Sequence, residues 1–187
     1  MVNVNLQLIY SEYKLSQRLL NSIQKVVNKI VREYCLQPVE ERHVVTLLKL
    51  ITTYKRDLKK GLFATTKQYI EILAVLVDHL IYTLTEVGGQ VQIAGIGNDL
   101  CMITDEDGKF ILKKIVVQVD SQIVPVYLHE LRKSGLKVCD EGDLTLEVID
   151  IISGKRYTSL QNTDYIQQEA YPYQITNLIT DINHFCS

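Results

Sequence analysis

Through the first half of the chain, apolar residues recur every three or four positions. Leu15, Leu19, Ile23, Val26, Val27, Ile30, Val31 and Tyr34 keep that spacing, the signature of an apolar stripe along one helix. The run predicts a first helix from about Ser11 to just before Pro38, because a residue preceding proline is pushed out of the α region. Val44, Leu47, Leu48, Ile51, Tyr54 and Leu58 predict a second, from about Val39 to Lys60. Lys59, Lys60 and Gly61 would end it, with cations at the negative end of the dipole and glycine as a left-handed cap. A third helix starts at Thr65 and Gln68, which stand at capping-box spacing. Its body, YIEILAVLVDHLIYTL, is apolar nearly all round. Such a helix is covered on most sides, either by the first two helices or by a second copy of the chain.

After Gly88-Gly89 the period changes from helical to two. Val91 and Ile93 alternate with Gln90 and Gln92, and Ile115, Val117 and Val119 form a longer alternating run. Leu100–Ile103 and Phe110–Leu112 flank DEDG, Asp105 to Gly108, a hairpin signal. Ile123-Val124-Pro125-Val126 reads as a short edge strand, where a missing N–H is tolerated. Tyr127–Ser134 reads as one or two helical turns ended by Gly135. Leu144, Leu146 and Val148 alternate again, and Ser153-Gly154-Lys155 turns the chain into Arg156–Leu160. A short amphipathic helix is expected over Ile175–Phe185. The class is α+β: a three-helix lobe over residues 1–88, then a β-rich lobe over residues 89–187. The second lobe is expected to be a small antiparallel sheet or barrel of about five strands with the closing helix.

Composition narrows the class without naming a chemistry. Hydrophobic residues are 47% and charged residues 22%, which suits a folded globular chain. The net charge of -2 divides unevenly: residues 1–88 hold 12 Lys+Arg against 8 Asp+Glu, and residues 89–187 hold 8 against 14. The most apolar run contains Glu71, Asp78 and His79 and is shorter than the roughly 20 apolar residues of a membrane span. Cys35, Cys101, Cys139 and Cys186 stand far apart, without the paired spacing of zinc or redox motifs. The opening residues lack a secretory pattern, so reduced thiols in the cytoplasm are expected.

Candidate chemical motifs mostly fail on spacing. Gly95-Ile-Gly97 suggests half of a phosphate loop, but Leu100 stands where a third glycine is needed and a strand follows where a helix should begin. It is read as a bulge at the junction of the two lobes. DEDG cannot be a calcium loop, since Ile103 and Lys114 occupy positions that need acids. Glu40 and His43 have the spacing used in di-iron bundles, without the second pair and further glutamates such a site requires. No cofactor and no metal set is expected. An enzyme reading would need His129, Glu130 and Asp150 to converge in one pocket.

The patterned surface is basic. Lys14, Arg18, Lys25, Lys29 and Arg32 align on the first helix, and Arg42, Lys49, Arg56 and Lys60 align on the expected second. Two such stripes could track the phosphates of DNA or RNA; the charge that any exposed helix face carries is the preferred explanation, since Glu12, Glu33, Glu41 and Asp57 dilute them. Tyrosine outnumbers the other aromatics, with 11 Tyr, 3 Phe and no Trp. Tyr165, Tyr171 and Tyr173 concentrate near Pro172, as either a partner-binding segment or rings folded back on the sheet. The expectation is a non-enzymatic interaction or regulatory protein. It would form a homo-oligomer through the helical lobe and meet an unidentified protein through the tail, with nucleic-acid binding as the alternative.

Overall fold

The computed structural model describes residues 15–85, 87, 91–94, 100–106, 109–135, 144–159 and 166–170. Helix α1 (Gln17–Cys35) starts later than the apolar spacing implies, because Ser16 caps it: Ser16 Oγ accepts the Leu19 N–H at 3.3 Å. A serine hydroxyl satisfies one of the N–H groups that a helix start leaves open. The helix buries Leu19, Ile23, Val26, Val27, Ile30, Val31 and Tyr34, the stripe read from the sequence.

The expected helix from 39 to 60 is broken into pieces. A 3-10 turn over Val39–Glu41 precedes α2 (Val44–Tyr54), and further 3-10 turns follow at Lys55–Asp57 and Lys60–Leu62. His43 is the reason for the first break. Its ring Nδ1 accepts the Thr46 N–H at 3.3 Å, so it caps α2 in place of continuing a helix. The chain is extended again at Leu58 (φ -78°, ψ 99°), whose side chain is buried. Gly61 lies inside a 3-10 turn and is not a left-handed cap; among the described glycines only Gly154 has positive φ.

Helix α3 (Thr66–Thr85) begins as its capping spacing predicts. Thr65 Oγ1 accepts the Gln68 N–H at 3.0 Å, and Gln68 Oε1 accepts the Ala64 N–H at 2.7 Å. One side buries Ile72, Val75, Leu76, His79, Leu80 and Leu84. The rest of the circumference is less covered than its composition suggests: Leu73, Val77 and Ile81 are half-buried and Ile70 is exposed. His79 Nδ1 lies 2.7 Å from the carbonyl of Ile151. A carbonyl only accepts, so the proton sits on Nδ1.

Six strands form one mixed sheet in sequential order: β1 (Val91–Ala94), β2 (Cys101–Glu106), β3 (Lys109–Val116), β4 (Leu144–Asp150), β5 (Lys155–Ser159) and β6 (Ile166–Ala170). Neighbours are antiparallel except β3 and β4, which are parallel. This corrects the antiparallel five-strand expectation. A parallel pair needs a long crossover, and α4 (Val124–Gly135) lies within it. The edge strand expected at 123–126 is therefore the start of that helix. Proline is tolerated in a first helical turn, and Val124, Leu128 and Leu131 are buried at helical spacing. The hairpin at DEDG holds: Glu106 pairs with Lys109. Strand β6 was not expected at all. Its core is Gln167, Gln168 and Glu169, all exposed, so it carries no apolar alternation.

Strand alternation divides the sheet into two buried faces. Met102, Ile115, Val117, Ile149 and Ile151 pack with α1, α2 and α3, so the helical half and the sheet share one core. Ile103, Leu112, Leu146, Val148 and Tyr157 pack on the other face with Val124, Leu128 and Leu131 of α4. The result is three layers, with α1–α3 on one side of the sheet and α4 on the other. The expected C-terminal helix, Lys14, Tyr165, Tyr171, Tyr173, and the glycines at 88, 89, 95 and 97 lie outside the described residues.

Candidate functional site

Of the expected basic residues, those on α1 stay together and those from the second segment disperse. Arg18, Lys25, Lys29 and Arg32 lie within roughly 60° of the helix circumference over roughly 21 Å of its length. Arg42 precedes α2 and points into the structure: its guanidinium donates to the carbonyls of Cys35 at 2.9 Å and Gln37 at 3.0 Å. It closes the C-terminal end of α1, where carbonyls lack helical partners. Lys49 is exposed on α2, Arg56 is exposed in the following 3-10 turn, and the Lys60 ammonium stands 5.5 Å from the Tyr69 ring centroid in the next. The second stripe required one continuous helix, and that helix is not formed.

The α1 face borders a groove closed on its other side by the chain around 57–62. Two adjoining cavities, about 410 and 500 Å³, share Ser22, Lys25 and Asp57. Arg18, Lys25, Lys29 and Arg32 line it from α1 and Lys59 from the facing segment. Asp57 is the one carboxylate among the described residues of the lining. It binds Lys29 at 2.6 Å and, chiefly through that hydrogen bond, raises the lysine's pKa. Lys29 also lies 5.7 Å from the Tyr54 ring centroid. Neutral hydrogen-bonding side chains, Asn21, Ser22 and Asn28, stand between the cations. The stripe on α1 was visible as spacing; Lys59 was not, because its position depends on the extended backbone at Leu58.

A second surface is apolar. Leu36, 67% exposed, Val39, Val44, Val45, 56% exposed, and Leu48 all face solvent. On α2 only Leu47 and Ile51 are buried. Of the exposed large apolar side chains among the described residues, five lie on α2 and the stretch before it, Ile70 lies on α3, and Ile123 and Val126 lie at the start of α4.

Two residues of the enzyme reading, Asp150 and Glu130, have separate structural partners. Asp150 is buried and accepts four backbone N–H groups, from Gln118, Val119, Ile152 and Ser153. Glu130 pairs with Lys114 at 3.6 Å, and His129 is exposed on α4. Among the described residues no group of three or more His, Cys, Asp or Glu side chains is placed to hold a metal ion, and no helix is long and apolar enough to cross a membrane. Cys35 and Cys101 are buried free thiols. No protein-family model, curated protein or solved structure matches this chain.

Proposed function

We propose that the protein is a non-enzymatic interaction protein whose copies associate through the face formed by α2 and the turn before it. The observation that carries this reading is the exposure of five large apolar side chains between Leu36 and Leu48. Scattered apolar residues are ordinary on a surface, whereas a contiguous group marks a site of association. A second copy is the occupant that the charges favour. Glu40 and Glu41 stand before α2, and Lys55 and Arg56 follow it. Two copies docked antiparallel about a two-fold axis would place acidic ends opposite basic ends, with Val45 and Leu48 between them. A two-fold interface needs that kind of self-complementarity.

Light scattering coupled to size exclusion tests the reading, comparing wild type with Val45→Glu/Leu48→Glu. Wild type is expected at twice the chain mass and the variant at the chain mass, with circular dichroism unchanged. A strictly monomeric wild type at high concentration would overturn it.

A further inference from the structure

We infer that the groove along α1 is a binding site for the phosphodiester backbone of a nucleic-acid strand. The site is separate from the apolar face and does not depend on self-association. Its first support is the balance of charge. Four cations of α1 and Lys59 of the facing wall line the groove, Asp57 is the one carboxylate among its described lining residues, and Asp57 is already engaged by Lys29. Arg18, Lys25 and Lys59 have no ion-pair partner among the described residues. Like charges held this close repel one another, which disfavours the unliganded groove and favours any anion that enters it.

The arrangement selects among anions. A single phosphate on a peptide is held by cations converging on one point. Here the cations run in file for roughly 21 Å along the helix, so they match a chain of charges. A lipid surface is flat and meets projecting cations, but these line a concave groove from two sides. Asn21, Ser22 and Asn28, set between the cations, are side chains of the kind that bond phosphate and sugar oxygens in such complexes. None of the described lining residues is aromatic, so base stacking makes no contribution and the contact is expected to rest on the backbone.

Salt dependence makes the inference quantitative. With Lys29 committed to Asp57, Arg18, Lys25 and Lys59 are counted for phosphate. For a single strand, three contacts predict that affinity falls about 18-fold between about 50 and about 200 mM salt. Removing two leaves a fall of about 3-fold.

Fluorescence anisotropy on the full chain would measure this, using a labelled oligouridylate, a DNA duplex of equal length and phosphatidylserine vesicles. Wild type is expected to bind the strand with the steep salt dependence. Arg18→Gln/Lys25→Gln should bind weakly with the shallow one, and the charge-keeping Arg18→Lys/Lys25→Arg should bind as wild type. Lys49→Gln/Lys155→Gln, which changes exposed cations outside the groove, should also leave binding intact. Tighter binding of the duplex would support the same backbone contact and identify the strand's source. The inference is overturned by absence of nucleic-acid binding at low salt, by equal binding of the Arg18→Gln/Lys25→Gln variant when its thermal melt matches wild type, or by binding to vesicles alone.

Discussion

The carboxylate of Asp150 accepts the backbone N–H of Gln118 at 3.1 Å, and Gln118 is held at φ 54°. That backbone region is uncomfortable for a residue with a Cβ. It persists because the same carboxylate also takes the N–H groups of Val119, Ile152 and Ser153. Val116 and Asp150 pair at the ends of the parallel strands β3 and β4, so one side chain ties together the chain leaving both. Asp150→Asn replaces one acceptor oxygen with an amide nitrogen, which donates and cannot accept. A urea titration is expected to show a loss of about 2–4 kcal/mol, from weakened charge-assisted bonds and an unsatisfied buried N–H. Gln118→Gly relieves the positive φ and should cost nothing or stabilise slightly. Equal stability of wild type and Asp150→Asn would show that the four contacts contribute little.

Arg42 provides a way to separate structure from charge. It donates to the Cys35 and Gln37 carbonyls at the end of α1, so its role is that of a C-terminal cap. Arg42→Gln is expected to lower stability by about 1.5–3 kcal/mol, the range for a hydrogen bond to a charged group. It should leave nucleic-acid binding at the α1 groove unchanged once the protein is folded. A binding defect without a shift in the thermal melt would contradict that assignment.

Burial sets the chemistry of the two described thiols. Desolvation pushes the Cys35 thiol up to about 11, against a nearby Arg42 charge that acts the other way. Cys101 shifts upward for the same reason, partly countered by Lys114. Thiolate is the reactive form, so neither should be alkylated by iodoacetamide in the folded protein at neutral pH. Mass spectrometry should find both modified only after denaturant is added. The raised value also links to stability. The unfolded thiol ionises first, near 9.0, so Cys35 favours folding fully below that pH, and its contribution is lost as pH rises toward about 11. Cys35→Ala should flatten that part of the alkaline decline; an unchanged slope would show that other groups cause it.

What could be read from the chain depended on whether the determinant was local. The Thr65–Gln68 cap, the Gly154 turn and the Asp105–Gly108 hairpin signal are each written in a few adjacent residues; the helix and strands beside them form, with Asp105 and Glu106 already inside β2. The break before α2 was missed because a His43 ring nitrogen competing for a backbone N–H is invisible to apolar spacing. The parallel pairing of β3 with β4 was missed because alternation gives a strand's faces but not its direction. Ile123–Val126 fits a strand or the first turn of a helix, and only the burial of Leu128 and Leu131 against the sheet decides. Strand β6 offered no pattern because Ile166 is its only large apolar residue and the three that follow it, Gln167, Gln168 and Glu169, are polar and exposed. For the groove, one wall followed from helical spacing and the other required the fold.

Buried charge on the helix-facing side of the sheet gives the strongest test of the strand register. Lys113 and Glu147 are direct partners across β3 and β4, with Nζ and Oε2 3.7 Å apart and both side chains nearly inaccessible. Arg156 of β5 approaches the other carboxylate oxygen at 2.9 Å. Two cations therefore meet one buried carboxylate. Removing the shared partner should cost far more than removing either cation. Glu147→Gln is expected to destabilise by about 3–5 kcal/mol, as when one side of a buried pair is deleted. Lys113→Met leaves Glu147 with Arg156 and fills the space with an apolar chain of similar length, so it should cost much less. Lys113→Met added to Glu147→Gln should recover part of the loss, because one uncompensated cation is gone. Chemical denaturation of the three variants measures these terms directly. If Glu147→Gln is no worse than Lys113→Met, the carboxylate does not hold the two cations together and the triad is not a unit.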